Sequence, residues 1–99
     1  MDMHPLVYDW SSFNLTTGQT DYDVKAGVAA LFSNVPVAKN LVIFFDKQIS
    51  VKINSTLMPA MVFPISRSPF QSPLRFLDVK NLYLSNSSGS TATIEVLIW

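Results

Sequence analysis

Hydrophobic and polar positions alternate most clearly at the end of the chain. In "TATIEVLIW", Ala92, Ile94, Val96 and Ile98 fall on one side and Thr93, Glu95, Leu97 and Trp99 on the other. A period of two is the period of a β-strand. The second side begins polar and turns apolar at Leu97 and Trp99, so one end of this strand is coated on both faces. Upstream, "NLYLS" sets Leu82 and Leu84 against Tyr83. The intervening "SNSSGS", at 85–90, reads as a loop, because Asn and Ser bond their own backbone in turns and Gly89 permits positive φ. The two strands are expected to form a hairpin across it.

The same pattern predicts a second hairpin in "NLVIFFDKQISVKINS". Leu41 to Phe45 are apolar on both faces, Asp46, Lys47 and Gln48 supply a turn, and Ile49, Val51 and Ile53 alternate with Ser50, Lys52 and Asn54. "SFNLTTGQTDYDVKAG" reads as two short strands about Gly18. "VAALFSNVPVA" is too short and too broken for a long helix and is expected to be a short strand or one helical turn before Pro36. Residues 58–73 hold four of the six prolines, and proline donates nothing to a ladder, so this stretch is expected to be an edge strand broken into a projecting loop, with "LRFLDV" returning as a strand.

Seven to nine short strands with turn signals every ten or so residues and no amphipathic helix predict an all-β fold. The expected architecture is a small antiparallel β-sandwich or jelly-roll-like barrel forming a single domain. Residues 1–10 are expected to be an N-terminal arm and the first strand, and 11–99 the domain. At 99 residues such a domain has a marginal core.

Composition sharpens this picture. Hydrophobic residues make up 48% of the chain and charged ones 14%, against about 25% charged in an average soluble domain. That apolar surplus points to a subunit interface. Seven basic and seven acidic residues cancel, without the basic patch that nucleic acid or an anionic membrane would need. There are no cysteines. The start of the chain shows no charged-then-apolar leader pattern, and the run Leu41 to Phe45 is far too short to span a bilayer.

Candidate chemistry is sparse. The one histidine, His4, stands beside Pro5 in the predicted arm, where a base could not be aimed. Asp21 and Asp23 are spaced to project from one strand face, as a cation-sharing pair would, yet no further ligand stands near them. Glu95 reads as a cross-strand partner or a register-fixing charge. Gly18, Gly27 and Gly89 are isolated, so no phosphate-cradling loop is present. The triplets at Asn14, Asn54 and Asn86 match the glycosylation acceptor pattern by chance. Trp10, Tyr22, Tyr83 and Trp99 could stack on sugars but are better placed for packing. No catalytic residue, cofactor or metal site is expected, and the protein is read as a non-enzyme.

Two longer stretches, "GQTDYDVKAGVAALFSNVPVAKNLVIFFDKQISVKINST" and "FLDVKNLYLSNSSGSTATIEVLIW", resemble small accessory virion proteins of tailed bacteriophages. The resemblance implies a β-sandwich or jelly-roll subunit of the virion, assembled in the bacterial host cytoplasm. Such a subunit would be a capsid decoration (cement) protein that binds the major capsid protein, or another virion protein, as a homo-oligomer, with a trimer expected. A receptor- or carbohydrate-binding module, or a small tail or neck component, is the alternative. Candidates for the self-interface are Phe44, Phe45, Tyr83, Leu97 and Trp99. Candidates for contact with the shell are Met3, His4, Pro5, Leu6, Arg67 and Phe70.

Overall fold

The computed structural model describes residues 7–59, 61–63, 70–71 and 78–99, with only the backbone of 61–63 and 70–71 included. The described residues form eight strands and one short helix: β1 (Asp9–Leu15), β2 (Tyr22–Asp23), α1 (Val24–Gly27), β3 (Leu41–Phe45), β4 (Ile49–Ile53), β5 (Met61–Phe63), β6 (Phe70–Gln71), β7 (Leu82–Ser85) and β8 (Ala92–Ile98). They make two four-stranded sheets, in the orders β1-β8-β3-β6 and β2-β7-β4-β5. Every ladder is antiparallel. The all-β expectation therefore holds as two small antiparallel sheets. β1 begins at Asp9 and runs through residue 10, where the arm was expected to give way to the domain.

Pairing is nested: β1 lies beside β8, β2 beside β7, β3 beside β6 and β4 beside β5. Two further ladders, β3 with β8 and β4 with β7, complete the sheets. This corrects the expected hairpins. β3 and β4 are in different sheets, as are β7 and β8. The two short strands expected about Gly18 are present as β1 and β2, also one in each sheet. The loops Asp46–Gln48 and 86–91 carry the chain from one sheet to the other. A turn signal marks a reversal of direction in either arrangement, and the alternation on each side is the same, so local pattern does not distinguish the two.

The inward residues of both sheets meet in one hydrophobic cluster. Leu41, Ile43, Phe45, Ile94, Val96 and Ile98 come from the first sheet, and Ile49, Val51, Ile53, Leu82 and Leu84 from the second. Each fully buried side chain of this size contributes about 1.5–3 kcal/mol relative to exposure. Phe13 of β1 and Tyr22 of β2 pack at the rim with ring centroids 6.2 Å apart, linking the two sheets.

Between β2 and β3 the chain makes α1 and then a run of turns. Asp23 caps α1 by accepting from the Ala26 N–H at 3.1 Å, and the helix ends where Val28 turns extended. The helical turn thus precedes the stretch in which it was expected. Val28, Leu31, Phe32 and Val35 of the following loop are buried in the core.

Two buried polar residues hold the loops to this frame. Asp9 is 3% exposed, and its carboxylate accepts from the backbone N–H groups of Asn34 (3.0 Å) and Val35 (2.9 Å), from Asn34 Nδ2 (3.0 Å) and from Ser33 Oγ (3.4 Å). Asn86 is 1% exposed. Its Nδ2 donates to the carbonyls of Leu15 and Ser90, both at 2.8 Å, and its Oδ1 accepts from the N–H and hydroxyl of Ser88. Each pairs a group that would otherwise be buried without a partner, the Val35 N–H and the Leu15 carbonyl, and ties further loop groups beside it.

Candidate interaction surface

The outer face of the first sheet is built from alternate residues of three strands in register. Trp10, Leu97 and Val42 form one row across β1, β8 and β3, and Ser12, Glu95 and Phe44 form the next. Asn14 and Thr93 follow, with Asp46 beyond them. In the other direction lies Trp99, whose N–H donates to the Asn40 carbonyl and whose own carbonyl accepts from Lys39 and Asn40. The face therefore runs from apolar to polar along the strands, and the switch first read along β8 extends across all three.

Two details fix the apolar end. The indole N–H of Trp10 donates to Glu95 Oε1 at 2.8 Å, a diagonal contact between β1 and β8. This holds the ring on the sheet while leaving it 50% exposed. Phe44 is 38% exposed, and Tyr8, just before β1, is also exposed. Leu97, flanked by Trp10 and Val42, and Trp99 are half-buried. A shallow groove of about 340 Å³ runs along Phe44, Phe45, Asp46, Thr93 and Glu95. At its polar end Asp46 Oδ1 accepts from the Thr93 N–H at 2.7 Å, taking the place of the next ladder bond.

The candidates for the self-interface separate in this geometry. Phe44, Leu97 and Trp99 share the outer face of the first sheet. Phe45 does not, since its side chain points inward and is 4% exposed. The run Leu41 to Phe45 is apolar throughout, so composition could not separate its two faces; its register against β8 does. Tyr83 lies in β7, between Asp23 and Lys52 on the outer face of the opposite sheet. Trp10 and Val42 complete the surface, and the alternation of Trp10, Ser12 and Asn14 with Ser11, Phe13 and Leu15 was the signal for the first of them.

Met3, His4, Pro5, Leu6 and Arg67 lie outside the described residues, and of Phe70 only the backbone is described, as part of β6.

The opposite face is polar. Lys52 Nζ pairs with Asp21, 3.0 Å from Oδ1, and also donates to the Thr56 carbonyl. Asp23 accepts from Asn81 Nδ2 at 2.7 Å as well as capping α1. The Asn81 amide, and secondly the Ala26 N–H, hold the Asp23 carboxyl below the usual carboxylate range. The two aspartates thus serve separate partners, and among the described residues no three His, Cys, Asp or Glu side chains are gathered as a metal site. Asn86, committed through its amide and buried, is closed to modification in the folded chain. Comparison with protein-family models, with curated proteins and with solved structures finds no match to this chain.

Proposed function

We propose that this protein is a non-enzymatic structural subunit that assembles through the outer face of its first sheet. On the resemblance of its sequence, it is a decoration (cement) protein of a bacteriophage capsid that acts as a homo-oligomer. The observation that carries the proposal is the apolar end of that face, where Trp10, Val42, Phe44 and Leu97 stand together in register with Trp99 beyond them. A contiguous apolar patch on a small domain marks an interaction surface. Burying it contributes about 25 cal/mol per Å², reduced by the cost of association. At a capsid the gain would recur at every lattice site.

The fold belonging to this reading is a jelly-roll sandwich. Eight strands in nested pairs, laid into two four-stranded sheets that share one core, support it.

Light scattering and native mass measurement test the proposal. The expected result is a stable oligomer that also binds purified shells stoichiometrically. Phe44→Lys places a lysine opposite Glu95, a pairing the fold should tolerate, and is expected to weaken self-association at least tenfold. A monomer at high concentration, or an oligomer indifferent to this change, overturns the interface. Saccharide binding that is lost in Trp10→Ala, without any shell binding, would favour the receptor-binding alternative.

A further inference from the structure

Among the described residues the two sheets have four edge strands, and three of them are short. β2 has two residues and runs directly into α1. β5 has three residues, lying between Pro59 and Pro64 in the sequence, and β6 has two, between Pro69 and Pro73. Short strands with neighbouring prolines are the usual devices that keep a sheet edge from pairing with another chain.

β1 is built differently. It is seven residues long and pairs with β8 residue for residue, without a bulge. From Trp10 to Leu15 it contains no proline and no charged side chain. Its one charge, Asp9, is buried and occupied by the 33–35 loop. Among the described residues no backbone group of Trp10 to Asn14 bonds to anything on the side away from β8. A long, unbulged, uncharged edge is a template for strand addition.

We propose that β1 pairs with β1 of a second copy of this chain, antiparallel about a two-fold axis, joining the two first sheets into one eight-stranded sheet. The sequence of the strand supports a second copy as the occupant. A two-fold axis sets the central residue against itself, so a charge there would face its like. The middle of Asp9–Leu15 is Ser12, an exposed, neutral hydroxyl. In that register Ser11 meets the partner copy's Phe13, and Trp10 meets its Asn14. The half-buried Phe13 gains cover, and no charge opposes another. The pairing uses the backbone edge of β1 and the apolar contact uses the face of the sheet, so either can exist without the other although Trp10 borders both.

Charge substitution at the centre is the test. Ser12→Lys and Ser12→Glu, both at an exposed position, are expected to abolish the β1 contact separately and to restore it when mixed, read by native mass and by amide exchange at Trp10, Ser12 and Asn14, whose N–H groups face away from β8. Wild-type protein is expected to have an even number of copies, two joined trimers included, with Trp10, Ser12 and Asn14 amides that lose protection on dilution. Recovery in the mixture cannot come from misfolding of either variant. A Ser12→Lys protein that assembles as the wild type does, or a mixture that stays apart, overturns the pairing. A trimer as the sole stable species overturns it too while leaving the face assignment standing, and a monomer at all concentrations overturns both.

Discussion

Single side chains do more of the organising here than their number suggests. Asp9 gathers donors from three consecutive loop residues, and without it the Val35 N–H loses its acceptor in a buried place and the Asn34 N–H loses its own in a part-buried one. Asp9→Ala is expected to cost about 2–4 kcal/mol in chemical denaturation. Asp9→Asn should cost less, because one oxygen survives while the new amide confronts a donor. Neither effect was legible in the sequence, where an aspartate before a tryptophan reads as an exposed residue. Asp23 acts through protonation. Its folded carboxyl is held below the ordinary value of 3.8, so on acidification the unfolded chain takes up its proton first. The stability it contributes is present above that ordinary value and lost as pH falls through the folded one. Asp78, lowered chiefly by its hydrogen bond from Lys39, shares the same sign. Thermal unfolding followed from pH 5 to pH 2 should therefore show a falling Tm that is shallower in Asp23→Asn.

At the level of elements, alternation identified the buried side of β4, β7 and β8 residue by residue, because amphipathic burial is a local property. Ile94 and Leu84 lie on the sides that alternation sets apart in their strands, and both are fully buried. What a strand pairs with is decided by distant segments, and the two expected hairpins failed for that reason. The interface candidates divided along the same line. Leu97 and Trp99 were readable from β8 itself, whereas Tyr83 required knowing that β7 belongs to the other sheet. Close packing between elements sets its own demands. A Cβ on Gly27, at the end of α1, would come within 2.1 Å of the Tyr22 hydroxyl oxygen. Gly27→Ala should push that ring away from Phe13 and cost about 1–3 kcal/mol, with altered near-ultraviolet dichroism as the readout.

For the whole molecule, nested pairing means that nearly every ladder joins residues far apart in the chain, from Val51 with Met61 at the short end to Asp9 with Ile98 at the long end. Loop closure must precede the contacts that reward it, so refolding is expected in the range of milliseconds to seconds, slow for a domain of this size. Stopped-flow fluorescence from Trp10 and Trp99 would measure it. The position of β8 between β1 and β3 has a further consequence on the ribosome. β1 and β3 are made early and share no ladder until the strand between them emerges. At roughly 5–20 residues per second, β1 waits about 4–15 s for it. Until then β1 stands apart from the β3–β6 pair across an open gap, and translation of 92–98 acts as a keystone. A chain stalled before codon 92 should be a ready substrate for proteases and holding chaperones, and one released after codon 98 should not.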